Sequence, residues 1–196
     1  MLKIFQQIGR DLFEAGLNSS HSGNISVRFG DRIIITRRGS MLGNLQEGDL
    51  IETGLEKNDS NITLASTEIR VHRAIYKRTP ALAIVHAHPP HAISLSLMED
   101  HIVPVDSEGA YLLHKIPVVR TRHTIGSAQL EELLPEVLKE YKVAMVRGHG
   151  SFAVGQLPEE AYQWTSSLEH SSRIIFLTRS MGYSPPASGT QKNAGW

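Results

Sequence analysis

The stretch Ile84–Ala92, "IVHAHPPHA", sets three histidines within six residues at the end of an apolar run. The longer segment "ALAIVHAH" is short, apolar and stopped by Pro89 and Pro90, which reads as a buried strand. Residues i and i+2 of a strand point to one side. His86 and His88 therefore face the same way, with Ala87 turned to the other. Two imidazoles so placed make a bidentate metal clamp. They also suit a sheet edge as two hydrogen-bonded histidines, and the pair alone does not choose. His149 adds weight to the clamp: it sits between Gly148 and Gly150, just after the apolar run "VAMV". Strand ends of an α/β sheet gather at one edge, where loops build sites, and the two glycines leave room for an imidazole and a ligand. Three imidazoles with an open position is the pattern of a catalytic zinc site.

Outward from this stretch the chain alternates helices and strands, an α/β pattern. "LKIFQQIGRDLFEAG" predicts a helix with Ile4, Ile8, Leu12 and Phe13 on its apolar face and Gly16 as its stop. "GNISVRF" and "DRIIITRRG" predict short strands, and "STEIRVHRAIYKR" a helix opened by good capping residues. "HKIPVVRT" and "KVAMVRGHG" predict two more strands. "SAQLEELLPEVLKEY" predicts a helix that Pro135 bends or splits. "LPEEAYQWTSSLEHSSRIIFLTRSMG" predicts a long helix with proline in its first turn and Gly182 at its end. Residues 1–182 form the expected single domain, and the Pro/Gly/Ser-rich tail 183–196 reads as extended or disordered.

Composition narrows the class. The chain has 196 residues, 40% hydrophobic, with 20 Lys plus Arg against 20 Asp plus Glu. That suits a globule with a sizeable core. A net charge near zero argues against a general nucleic-acid or membrane-surface binder. There is no cysteine, so any metal must use His, Asp or Glu. No window approaches a membrane span and no signal sequence is apparent, so a cytoplasmic protein is the default.

Glu68 falls at the start of the helix after "LAST", where a carboxylate suits the helix dipole. Ser66 and Thr67 put hydroxyls and backbone N–H groups at the same helix start, an arrangement that binds anions. The turns "SGN" (22–24) and "TRRG" (36–39) add backbone donors and two guanidiniums. A phosphate site beside a metal site is the composite reading.

"SGNISVR", "ITRRG", "STEIRVH", "VHAHPPH" and "GHGSFAVG" together resemble the class II aldolase/adducin family in order and spacing, over nearly the whole length of residues 1–182. The resemblance implies a three-layer α/β/α fold around a mainly antiparallel sheet. It also implies a cyclic homotetramer with active sites at subunit interfaces. It identifies His86, His88 and His149 as ligands of one Zn2+ (or another divalent metal) per subunit. Glu68 becomes the fourth metal neighbour, which moves off to act as base. Asn24, Arg38, Gly39, Ser66 and Thr67 occupy the phosphate-holding positions. Arg38 departs from a short hydroxyl residue, and a guanidinium there strengthens phosphate binding. In place of the family's interface tyrosine the chain offers Glu108 and Tyr111 in "VPVDSEGAYLL" as catalytic acids, with Asp106 nearby; otherwise "DSEG" is a surface turn with Tyr111 in the core. A second family tyrosine has only Tyr183 as its counterpart.

By resemblance the expected activity is cleavage of a ketose 1-phosphate to dihydroxyacetone phosphate and an aldehyde, in the manner of the family's fuculose-1-phosphate aldolases. Dehydration in the manner of methylthioribulose-phosphate dehydratases, 4-epimerisation of ribulose phosphate and a non-catalytic adducin-like role are the alternatives. Phe152 leans toward the epimerases and Glu68 toward the aldolases and dehydratases. Of the other histidines, His72 lies four residues after Glu68 and either orients it or, more simply, packs in the core. His91 is a candidate pocket wall and His21 a candidate phosphate contact. His101, His114, His123 and His170 read as solvated surface.

Overall fold

Runs of β-branched and apolar residues, each broken by glycine, proline or a charged turn, give the described residues eight strands. They are β1 (Asn24–Phe29), β2 (Arg32–Thr36), β3 (Leu50–Gly54), β4 (Ala83–Ala87), β5 (His101–Ile102), β6 (Ile116–Val119), β7 (Val143–Val146) and β8 (Gly150–Gly155). The helices are α1 (Leu2–Glu14), α2 (Ile69–Arg78), α3 (Pro90–Met98), α4 (Ser107–Leu112), α5 (Ala128–Leu138) and α6 (Pro158–Ser180). The computed structural model describes residues 1–182; the expectations for the tail and Tyr183 lie outside the described residues.

The strands form one sheet in the order β3-β2-β1-β4-β8-β7-β6-β5, and only β6 and β7 pair in parallel. Alternation along β4 explains the layers. Ala83, Val85 and Ala87 point to a core built with α1, α3 and α6, including Phe5, Leu12, Leu95 and Leu168. Ile84 points to the opposite core, built with α2 and α5 from Ile75, Tyr76, Leu130 and Leu134. The sheet is thus buried on both faces and the fold is α/β/α, as expected.

Register sets up the site. Asn24 of β1 pairs with His86 of β4, and His86 pairs with Phe152 of β8. These three side chains form one cross-strand row on the α2 face.

Several expectations shift. The buried face of α1 is Phe5, Ile8, Gly9 and Leu12, while Ile4 and Phe13 lie outside the core; the i, i+3, i+4 stripe starts one residue later than the sequence reading. Pro135 sits inside an unbroken α5, buried with Leu134 and Leu138. The prolines after His88 do not merely stop a strand: Pro90 starts α3, where the missing N–H costs nothing. "DSEG" is not a turn but the start of α4, with the Asp106 carboxylate accepting from Gly109 N–H at 2.8 Å. Tyr111 is 79% exposed, not in the core.

Candidate active site

The ends of β1, β2 and β4, the β7–β8 turn and the start of α2 surround a cleft of about 180 Å³. Asn24, Arg38, Gly39, Ser66, Thr67, Glu68, His86, His88 and His149 all line it. Nine of the eleven residues singled out from the sequence therefore meet in one place. Glu108 and Tyr111 do not: they sit on α4, outside the lining of this cleft.

The histidines are held from behind. His86 Nδ1 donates to the Ser151 carbonyl at 2.8 Å, which leaves Nε2 free as a ligand atom. Its ring stacks on Phe152, with centroids 4.2 Å apart. His88 lies just past β4, and its backbone N–H donates to the Leu17 carbonyl and to Asn18 Oδ1. Gly150 lets the group close up, since a side chain there would reach within 2.9 Å of the His88 ring. His86 Nε2 and His88 Nε2 stand 3.1 Å apart, and one ligand atom from each of the three histidines falls within 4.8 Å of the others.

The electrostatics suit a cation. Burial holds His86 well below the usual imidazole range, pushes His88 down to about 4 and lowers His149. Three neutral imidazoles with converging nitrogens, and nothing positive among them, are the donor set a divalent metal requires. Among the described residues this metal-capable group contains only the three histidines.

Glu68 shares the cleft without belonging to that group. It occupies the N-cap position of α2 and is 2% exposed. Its carboxylate accepts from Gly126 N–H at 3.1 and 3.2 Å. Burial pushes its pKa up to about 7, with the Gly126 N–H pulling the other way. A carboxyl group there is poised to take or give a proton near neutrality. Gly126 has φ +53, and its loop also brings Ile125 to the cleft wall.

The two arginines of "TRRG" divide their roles. Both line the cleft, but Arg37 is tied to Asp49 at 2.7 Å, whereas Arg38 has no carboxylate partner among the described residues. His21 also lines it, on the exposed rim. His91 does not: its Nδ1 lies 2.6 Å from Glu169, which also accepts from the backbone N–H groups of His91 and Ala92 and so caps α3. His101, His114, His123 and His170 are exposed, as expected. Sequence reasoning missed Asn18, Ile125 and Gly126. Only Gly126 left a signal, a Gly-Ser pair ahead of a helix, and nothing local ties it to Glu68, 58 residues away.

The chain matches the model of the class II aldolase and adducin N-terminal domain over residues 4–176. It belongs to the class II aldolase and adducin family. Its curated relatives include an L-fuculose phosphate aldolase of Methanocaldococcus jannaschii, 32% identical over 89% of this chain and 95% of the relative. They also include a 3-oxo-tetronate 4-phosphate decarboxylase of Pectobacterium atrosepticum, 29% identical over 87% of this chain and 81% of the relative. Among solved structures, L-fuculose-1-phosphate aldolase from Thermus thermophilus superposes with a TM-score of 0.87 at 37% identity, covering 95% of this chain and 98% of the other. The family's named relatives are aldolases and decarboxylases, both lyases. Among the described residues no helix is long and apolar enough to cross a membrane.

Proposed function

We propose that residues 1–182 form the catalytic domain of a cytoplasmic, zinc-dependent aldolase that cleaves a ketose 1-phosphate to dihydroxyacetone phosphate and an aldehyde. The carrying observation is that one cleft holds three neutral histidines, a buried glutamate with a pKa near 7 at a helix start, and, in the turn after β2, an arginine with no carboxylate partner among the described residues. His86, His88 and His149 would hold the ion, with Glu68 as a fourth neighbour in the resting enzyme. When bound, such an ion supplies Lewis-acid polarisation of a carbonyl and stabilises the charge left when the adjacent C–C bond breaks.

The remaining work falls to the chain. Asn24, Arg38, Gly39, Ser66 and Thr67 bind the phosphate, using binding energy remote from the reacting carbon to place it. Glu68 carries the proton in one half of the cycle and releases it in the other. The Gly126 backbone N–H holds the Glu68 carboxylate in its buried position. Glu108 and Tyr111 are exposed on α4, outside the lining of the cleft of their own chain. We assign them to the cleft of a neighbouring copy, as proton donors in a homotetramer with interface sites.

The 3-oxo-tetronate 4-phosphate decarboxylases among the relatives favour a second reading. Loss of CO2 from a 3-oxo acid also breaks a C–C bond beside a polarised carbonyl and uses the same phosphate end. One screen separates the two: ketose 1-phosphates assayed for release of dihydroxyacetone phosphate, and 3-oxo acid phosphates assayed for CO2. Triose phosphate and aldehyde from a ketose 1-phosphate support the aldolase; turnover of the oxo acids alone, to CO2 and the same triose phosphate, replaces it with the decarboxylase.

A further inference from the structure

Behind the cleft lies a polar set that the chemistry above does not use. Ser26, His72 and Tyr76 are each 0% exposed. Ser26 Oγ lies 2.7 Å from His72 Nδ1 and 2.6 Å from Tyr76 OH. A hydroxyl, an imidazole and a phenol are costly to bury, and apolar side chains of similar size would fill this core as well. His72 Nε2 is moreover buried without a hydrogen-bond partner among the described residues, which adds to that cost. Burial pushes His72 down to about 3, so it stays neutral and offers hydrogen-bond geometry rather than charge.

What the set joins is informative. His72 lies one turn into α2, and its backbone N–H donates to the Glu68 carbonyl at 3.0 Å. Ser26 stands two residues after Asn24 on β1 and so shares its face. The His72 ring sits edge-on to Phe152 at 6.0 Å, and Phe152 is the ring stacked on His86. The three residues therefore connect the helix start that carries Ser66, Thr67 and Glu68 to the sheet row that carries Asn24 and His86. Apolar packing is non-directional and leaves a helix some freedom to slide or turn on a sheet; two short hydrogen bonds to one serine remove that freedom.

We propose that Tyr76, Ser26 and His72 are positioning residues that fix the start of α2, with its phosphate-binding and proton-carrying groups, against Asn24 and His86. This rests on the reading of the cleft given under Proposed function. Catalytic groups need placement within about 0.5 Å, and a misplacement of about 1 Å can cost on the order of a hundredfold in rate.

The test uses full-length, metal-loaded protein. Ser26→Ala and Tyr76→Phe each remove one hydroxyl, His72→Leu removes the imidazole, and His72→Asn keeps a polar group where Nδ1 stood. Affinity for inorganic phosphate is measured by titration calorimetry, with kcat, KM and metal content alongside. Ser26→Ala and His72→Leu are expected to weaken phosphate roughly tenfold and to lower kcat roughly tenfold to a hundredfold, with metal content unchanged. His72→Asn recovers most of both, and Ser26→Ala adds little to His72→Leu. Should His72→Leu fail to fold, the two hydroxyl deletions carry the test. Phosphate affinity and kcat within about twofold of wild type for folded Ser26→Ala and Tyr76→Phe, whatever their melting temperatures, would overturn the proposal. A wild type that turns over no sugar phosphate overturns the functional reading instead, while phosphate affinity still reports on the positioning.

Discussion

The starts of α2 and α4 each carry a glutamate, and they differ in almost every respect that matters for chemistry. At the start of α2, Glu68 is 2% exposed, accepts one backbone N–H from Gly126 and has its pKa pushed up to about 7 by burial. At the start of α4, Glu108 stands exposed beside Asp106, whose carboxylate is spent on capping the helix, and Tyr111 one turn on is 79% exposed. The residue type and the helix dipole are shared; desolvation and converging neighbours are not. A carboxylate becomes a proton carrier through what excludes water from it. The α2 start is desolvated within one chain, whereas the α4 start is open to solvent.

The largest effect expected from breaking this contrast is at Glu68. Glu68→Gln should keep the fold and the metal while kcat falls by about 10²–10⁴, the usual contribution of a general acid or base. Near-normal turnover would reduce Glu68 to a helix-capping residue. On the other side, Glu108→Gln or Tyr111→Phe should cost about 10² if one of them supplies the acid. On the proposal that a neighbouring copy provides it, mixing either variant with Glu68→Gln should regenerate active sites in mixed oligomers. No recovery on mixing would place the acid elsewhere.

Arg38→Ala is expected to be milder. Losing a charge-assisted hydrogen bond of about 1.5–3 kcal/mol should raise KM for a sugar phosphate roughly tenfold to a hundredfold. KM for the unphosphorylated analogue should hardly move; equal losses would make Arg38 structural.

The smallest effect is on the metal-free protein. His72, His86, His88 and His149 all have lowered pKa values in the fold. The unfolded chain takes up their protons below about 6.5 while the fold resists. Their contribution is fully present above that pH and is lost as pH falls toward about 4 for His88 and about 3 for His72. Glu68, raised to about 7, acts in the opposite sense between about 4.5 and 7. Four groups outweigh one, so denaturant midpoints of the apoprotein should fall as pH drops below 6.5. A flat profile from pH 7 to 4.5 would contradict these burials.

Much of the cleft was legible because its residues sit at strand ends and helix starts, where local pattern speaks. His86 and His88 follow from strand alternation, His149 from its glycines, and Ser66 with Thr67 from capping preference. The family likeness then put Asn24 and Arg38 beside them. What could not be read were contacts set by packing across the chain. Gly126 reaches Glu68 from 58 residues away and Glu169 reaches His91 from 78. The Ser26–His72–Tyr76 set depends on how α2 lies on β1, and the true face of α1 on its packing against residues 42–44 and α6. Residues 107–112 misled for a physical reason: "DSEG" has turn composition, but Asp106 spends its side chain on starting a helix.

The central claim is that His86, His88 and His149 hold a metal that the buried Glu68 serves. The most direct measurement is the metal content of purified wild type and of His88→Ala, determined by elemental analysis after the same preparation. About one divalent ion per chain is expected in the wild type, as the three-imidazole donor set requires, and its loss in the variant. Equal occupancy in the two proteins, or no divalent metal retained by the wild type when supplied with zinc, would contradict it.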